Sequence, residues 1–196
     1  MAAGKPMPLA TGKYVLFVSI LVAHSLFGGY WAGTRPNGAG WRFFSWHPLL
    51  MMVGMVGLMG TATLTKKRMG YVNTKMHGII AMTGLMLSMG GFYVIYENKN
   101  QMGKDHFTTW HSWAGLAVMI GCTMVGTVGG VFLHPDFGIA KQNGTIRTAH
   151  KYFSRFLLLV AWAATLSGLK TLIGDDMMTL VIFAGPLVVA APFTLM

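Results

Sequence analysis

Six apolar runs, each about as long as a membrane-spanning helix, dominate this sequence. They cover roughly residues 14–33, 46–64, 76–96, 110–133, 149–172 and 177–195. A helix needs about 20 apolar residues to cross the hydrocarbon core of a bilayer. Of the 196 residues, 54% are hydrophobic and 10% charged, a composition too apolar for a soluble domain of this size. We therefore expect an all-α membrane protein with six transmembrane helices. It should form a single domain over residues 1–196, with core helices at about 46–172.

The basic residues lie between the apolar runs and predict the orientation of the chain. The net charge is +10, which in a membrane protein favours anionic lipid headgroups and small anions over nucleic acid as partners. Ten lysines and arginines fall on the side of the N-terminus and five on the opposite side. The ten are Lys5, Lys13, Lys66, Lys67, Arg68, Lys75, Lys141, Arg147, Lys151 and Arg155. The positive-inside rule therefore predicts that both termini are cytoplasmic.

Four histidines, His47, His77, His111 and His150, stand near the starts of four consecutive apolar runs. Successive spans cross the membrane in opposite directions, so equal depth pairs His47 with His111 at the outer face and His77 with His150 at the cytoplasmic face. A histidine in lipid is costly without a partner. Three interpretations of the four histidines remain open. They could be hydrogen-bonded residues that face the bundle, ligands of a bare cation such as zinc, or haem ligands. No Asp, Glu or Cys lies near the four in sequence, which favours a macrocycle that brings its own four donors.

Small residues beside two of these histidines suggest a flat cofactor. Gly115 follows His111 by four residues, and Ser154 follows His150 by four, so each shares a helix face with its histidine. We predict that both belong to the cofactor-binding wall, although tight helix packing alone also selects glycine. The single cysteine rules out a C-x-x-C-H haem attachment, so any haem is held without a covalent bond. Ser45, Thr74, Thr108 and Thr148 are predicted to cap the four histidine-bearing helices.

Three motifs resemble those of the cytochrome b561 family. The stretch Trp46-His47-Pro48-Leu49-Leu50-Met51 is similar to its WHPLLM signature, and His111-Ser112-Trp113-Ala114-Gly115 to its HSWxG. His150-Lys151-Tyr152-Phe153, followed by Thr165-Leu166-Ser167-Gly168-Leu169, resembles its fifth helix. The histidine spacings of 30, 34 and 39 residues agree with the family pattern, and the resemblance covers about residues 14–195. Gly103-Lys104-Asp105-His106 further resembles the small b561-domain branch of transmembrane reductases.

The resemblance implies a specific activity and cofactor. It predicts a central antiparallel four-helix bundle with two non-covalent haem b groups, each held by two of the four histidines. It also predicts an ascorbate-dependent transmembrane oxidoreductase of the monodehydroascorbate or ferric reductase type. The donor would be cytoplasmic ascorbate, and the acceptor would be monodehydroascorbate or a ferric chelate on the opposite side. The resemblance is compatible with a location in an endomembrane or in the plasma membrane. It is also compatible with a homodimer.

Several polar residues near the histidines are candidates for substrate contacts. Lys75, Arg147 and Lys151 flank the cytoplasmic histidines and would attract an anionic donor, together with Lys66, Lys67 and Arg68. The alternative is that these charges only set the orientation of the chain in the membrane. On the outer side, His106 is either a proton shuttle or an exposed loop histidine, because its charge changes near neutral pH. Arg42, Trp46, Lys104 and Trp110 are expected around the same outer entrance.

Two other classes of function remain open from the sequence. A carrier of metal cations would use the same four histidines as bare ligands. A haem-containing structural subunit of a larger membrane complex would account for the short connections between the spans.

Overall fold

The computed structural model describes residues 7–35, 37 and 39–196, and in this part of the chain it contains six long helices and no β-strand. The helices are α1 (Thr11–Gly33), α2 (Phe43–Lys67), α3 (Tyr71–Gln101), α4 (Trp110–Phe132), α5 (Gly144–Ile173) and α6 (Met177–Leu195). Each is long and apolar enough to cross a membrane. The prediction of an all-α, six-span membrane protein is thus confirmed. Lys5, which was counted for the orientation, lies outside the described residues.

Several helices extend beyond their apolar runs. The longest, α3, has 31 residues and therefore measures about 46 Å at 1.5 Å per residue, whereas the hydrocarbon core is about 30 Å thick. Hydropathy marks only the part of a helix that lies in lipid, so the sequence could not show these polar ends. Because α3 begins at Tyr71 and α5 at Gly144, His77 and His150 lie in the second turns of their helices.

The helix caps differ from the predicted ones. Thr109 caps α4, since its hydroxyl accepts a hydrogen bond from the backbone N–H of Ser112. Asn143 caps α5, and its side-chain oxygen accepts from the N–H of Ile146 at 3.0 Å. The predicted caps were wrong because the helices start earlier or later than the apolar runs. None of the four is the capping residue that was predicted: Ser45, Thr74, Thr108 and Thr148. Ser45 lies instead in the first turn of α2, where its hydroxyl accepts a hydrogen bond from the N–H of the N-cap residue Arg42 at 2.8 Å.

The four inner helices form a closed bundle. Helix α2 packs against α3, α4 against α5, and further contacts join α3 to α4 and α5 to α2. Helices α1 and α6 lie together outside this ring, against α2 and α5. The bundle thus brings together the four helices that carry His47, His77, His111 and His150.

Two of the inner helices contain a π-helical stretch, Met52–Leu58 in α2 and Val128–Phe132 in α4. In such a stretch the backbone hydrogen bonds run from residue i to i+5, which widens the helix locally. The sequence analysis did not predict either stretch. Single π turns frequently lie at functional sites, and both stretches here belong to helices that carry a histidine of interest.

Helices α2 and α3 pack closely at Gly54. A Cβ added there would lie 2.6 Å from the carbonyl oxygen of Gly84 and 3.2 Å from the backbone nitrogen of Ser88, which is fully buried. We expect Gly54→Ala to destabilise the protein by about 1–3 kcal/mol, because it overpacks a rigid contact. Thermal unfolding in detergent, followed by circular dichroism, measures this. Gly185→Ala is the control, since its Cβ would meet no atom within 4 Å; equal unfolding temperatures for the two variants would contradict the prediction.

Candidate functional site

The structure brings the four histidines together as two pairs. His47 of α2 faces His111 of α4, with ring centres 6.2 Å apart and ring planes at 86°. His77 of α3 faces His150 of α5, with ring centres 6.3 Å apart and planes at 83°. Each pair joins one helix of the α2–α3 couple to one helix of the α4–α5 couple.

The ring separations fit a single metal centre between each pair. A bond from a metal to an imidazole nitrogen is about 2.0 Å long, so two imidazoles on opposite sides of one metal have ring centres about 6 Å apart once half of each ring is added. Both observed distances match this value. Within the described residues, no group of three or more His, Cys, Asp or Glu side chains is placed to hold a metal ion. The pairs therefore suit a metal whose other ligands come from a bound cofactor.

Backbone carbonyls fix the ring orientation of three of the histidines. The Nδ1 atoms of His47, His77 and His111 lie 2.9, 2.9 and 2.8 Å from the carbonyl oxygens of Gly91, Ala62 and Ala164. A carbonyl only accepts hydrogen bonds, so Nδ1 carries the proton and Nε2 keeps a free lone pair. His150 differs, since its Nδ1 is buried and has no hydrogen-bond partner in the described part of the chain. Three of the four imidazoles are therefore held in the tautomer that a metal ligand needs.

Each histidine pair lies in its own cavity. The cavity lined by His47 and His111 has a volume of about 310 Å³, and the cavity lined by His77 and His150 a volume of about 1210 Å³. We call them the outer and the inner cavity, after the orientation predicted from the sequence. Met55 and Ala161 line both cavities, so these two side chains lie between them.

The two predicted small residues lie on the walls of these cavities. Gly115 lines the outer cavity, and a Cβ added to it would meet no protein atom within 4 Å. Ser154 lines the inner cavity, and its hydroxyl donates a hydrogen bond to the carbonyl oxygen of His150 at 2.5 Å. Open space beside Gly115 is what a flat cofactor requires, whereas the Ser154 hydroxyl is already satisfied within its own helix.

The inner cavity is strongly basic. The lysines and arginines that line it are Lys66, Lys67, Lys75, Lys141, Arg147, Lys151 and Arg155. Arg68 does not line it and instead donates hydrogen bonds to the backbone oxygen of Leu9 and the hydroxyl of Thr11. Lys67 donates to the carbonyl oxygen of Phe193, near the end of α6. The cavity thus collects most, but not all, of the charges expected to attract an anion.

Asp136, in the connection between α4 and α5, partly neutralises this basic wall. Its carboxylate forms an ion pair with Lys75 at 2.8 Å and accepts a hydrogen bond from the hydroxyl of Tyr71. These bonds, from Lys75 first and then Tyr71, lower the pKa of the Asp136 carboxyl. The sequence analysis missed this contact. The available signal was that Asp136 is the single acidic residue among the segments assigned to the cytoplasmic side.

On the outer side, His106 lines the cavity of His47 and His111. Its ring stacks on Tyr96 with centres 4.0 Å apart, and its Nε2 lies 2.8 Å from the side-chain oxygen of Asn100. That oxygen accepts, because the amide nitrogen of Asn100 donates to Glu97. His106 therefore keeps Nδ1 free for another partner. Of the other residues expected at this entrance, none lines the cavity: Arg42, Trp46, Lys104 and Trp110.

Comparison with known proteins shows which family this sequence matches. The eukaryotic cytochrome b561 family profile matches residues 46–174. A transmembrane ascorbate-dependent reductase of Ovis aries is 27% identical over 178 residues, which are 86% of this chain and 70% of that protein. The Homo sapiens protein of the same name is 25% identical over 177 residues, with the same coverage. A lysosomal membrane ascorbate-dependent ferrireductase of Bos taurus is 26% identical over 177 residues, covering 83% of this chain and 66% of that protein.

Proposed function

Because the chain belongs to the eukaryotic cytochrome b561 family, we propose that it transfers electrons across a membrane from cytoplasmic ascorbate, through two b-type haems, to monodehydroascorbate or a ferric chelate on the other side. The observation that carries this proposal is the pair of histidine couples with ring centres 6.2 and 6.3 Å apart, one in each of two cavities. Relatives that are named ascorbate-dependent reductases support the choice of donor. The proposal takes residues 1–196 as a single domain.

In this proposal each couple would hold one haem through its two imidazoles. When bound, the haems supply one-electron carriers near the two membrane faces. Two imidazoles per iron leave no open coordination position, which suits electron transfer rather than oxygen activation. The carbonyls of Gly91, Ala62 and Ala164 orient three of the imidazoles and increase their basicity as ligands. A bare-cation carrier has less support, because no third side chain of a suitable type joins either couple among the described residues.

The basic inner cavity is the proposed donor site. Its cations raise the local concentration of an anionic donor and hold it beside the couple of His77 and His150. Lys75, Arg147 and Lys151 line this cavity and are the proposed ascorbate contacts. This site is cytoplasmic in the proposed orientation, with both termini inside, as the distribution of lysines and arginines favours.

His106 is the proposed proton carrier at the acceptor side. It lines the outer cavity, and its hydrogen bond to Asn100 leaves Nδ1 available to exchange a proton with a reduced acceptor. Outward movement of one electron is assisted by an inside-negative membrane potential, by about 2.3 kcal/mol per 100 mV. Donor binding and electrical field therefore favour the same direction of transfer.

Replacing individual ligands tests the pairing. We expect His77→Ala or His150→Ala to remove the inner haem and spare the outer one, and His47→Ala or His111→Ala to do the reverse, because one imidazole alone leaves an axial position unfilled. Haem quantification and reduced-minus-oxidised spectra of the purified variants measure this.

The double variant His47→Ala/His77→Ala separates this pairing from one between sequence neighbours. The proposed pairing predicts no stable haem, whereas a couple formed by those two histidines would leave the other haem in place. His24→Ala is the control, since His24 lines the outer cavity without belonging to a couple, and it should keep both haems.

Removing the carboxylate of Asp136 tests the donor site. We expect Asp136→Asn to lower the apparent KM for ascorbate about 2- to 5-fold, because Lys75 loses a competing anion at an exposed ion pair. Steady-state reduction at varied ascorbate concentration measures this. Asp105→Asn makes the same charge change on the other side of the membrane and should leave KM unchanged. An unchanged KM in Asp136→Asn would remove Lys75 from the donor site.

The pH dependence of this ion pair follows from the lowered pKa of Asp136. A group with a lowered pKa in the folded state stays ionised at neutral pH and loses its stabilising bonds only when the pH falls through that pKa. The ordinary value is 3.8, so Asp136 remains charged and paired with Lys75 well above it. Titration of Asp136 should therefore not alter the KM for ascorbate between about pH 6 and pH 8.

Transfer across a membrane is the decisive test of the function. Purified protein should show a b-type spectrum that ascorbate reduces, and vesicles containing the protein and an enclosed ferric chelate should accumulate ferrous iron when ascorbate is added outside. The double variant His47→Ala/His77→Ala is the matched control for leakage. A purified protein without an ascorbate-reducible spectrum would end the proposal.

A further inference from the structure

We propose that Gly168 and Gly129 are positioning residues, which set the orientation of His111 and His150 from the facing helix. This inference rests on the proposed function, because it concerns how two of the haem ligands are held. It goes beyond ligation by assigning a role to two glycines that touch no substrate.

The two glycines lie against the imidazole rings. A Cβ added to Gly168 would lie 2.6 Å from Cε1 of His111, 2.9 Å from its Nδ1 and 3.2 Å from its Nε2. A Cβ added to Gly129 would lie 3.1 Å from Cε1 of His150. Ordinary contacts between carbon atoms are about 3.5–4.0 Å. Each imidazole therefore occupies space that any other amino acid at the facing position would fill.

The arrangement is reciprocal between α4 and α5, which carry a histidine near their start and a glycine near their end. His111 of α4 lies on Gly168 of α5, and His150 of α5 lies on Gly129 of α4. Other glycines on these helices do not share this feature, since a Cβ at Gly115 or Gly130 would meet no atom within 4 Å. Among the glycines of α4 and α5, close contact with an imidazole ring is thus specific to Gly168 and Gly129.

The two positions differ in a second contact. His111 also donates a hydrogen bond to the carbonyl oxygen of Ala164, one turn before Gly168. The corresponding carbonyl in α4 is that of Val125, one turn before Gly129 and close to the π-helical stretch, where it accepts a bond from the N–H of Val128. The Nδ1 of His150 has no hydrogen-bond partner among the described residues. His111 is thus held both by its contact with Gly168 and by its hydrogen bond to Ala164. His150 has the contact with Gly129 but no such hydrogen bond.

Gly168→Ala is the primary test. We expect the haem content to fall from about two to about one per chain, or the outer haem to keep its place with a shifted low-spin electron paramagnetic resonance signal, because the displaced ring can no longer hold its angle to the metal. The inner haem should keep its spectrum, which shows in the same sample that the variant is folded. Gly185→Ala, in α6, is the control and should retain both signals. Two haems with unchanged signals in Gly168→Ala would overturn the inference.

A second measurement separates positioning from simple helix packing. If Gly168 acts through the imidazole of His111, Gly168→Ala should leave the unfolding temperature unchanged in a His111→Ala background, where the ring is gone. If Gly168 serves only helix packing, the substitution should destabilise both backgrounds equally, and this result would overturn the inference. The wild-type haem content and its reduction by ascorbate test the proposed function separately, so the two proposals fail on different observations.

Discussion

The cost of leaving an imidazole alone inside a membrane-spanning bundle is the constraint on which the rest of this structure depends. Four of the five histidines within the membrane-spanning helices lie opposite another imidazole, with ring centres 6.2 or 6.3 Å apart, and the fifth, His24 of α1, packs against the ring of Phe183. That requirement explains why the inner four helices close into a ring, since each couple joins the α2–α3 pair to the α4–α5 pair. It also explains why the apolar core is divided. Met55 and Ala161 separate two cavities rather than filling one continuous interior.

Reciprocity between neighbouring helices then determines how the rings are held. His47 of α2 donates to a carbonyl of α3, and His77 of α3 donates to a carbonyl of α2. Within the described part of the chain, helices α4 and α5 make this exchange only once: His111 of α4 donates to the carbonyl of Ala164, whereas the Nδ1 of His150 has no hydrogen-bond partner. Hydrogen bonds to the second imidazole nitrogen tune a metal ligand. The two couples therefore differ in this hydrogen bond, although their ring separations are nearly equal.

The sequence predicted the features that depend on one-dimensional order. Six apolar runs gave the number of helices, and the alternation of direction gave the couples of His47 with His111 and His77 with His150. What it could not predict depends on contacts between distant segments. The carbonyl partners of the rings, the ion pair between Lys75 and Asp136, and the contact of Gly168 with His111 all join different helices or connections. Helix caps failed for a related reason, because hydropathy does not record where a helix ends in water.

The two faces of the bundle are built for different encounters. The inner cavity is the larger of the two and is lined by many cations, so a small anion is attracted to it and has room beside a cofactor. The outer cavity is smaller, and its lining includes His106, which is held against Tyr96 and Asn100. In the proposed function, charge attracts the donor on one side, and His106 exchanges a proton with the acceptor on the other. In that proposal the donor competes with Asp136 for Lys75, and the strength of this competition sets how much of the basic wall takes part in binding.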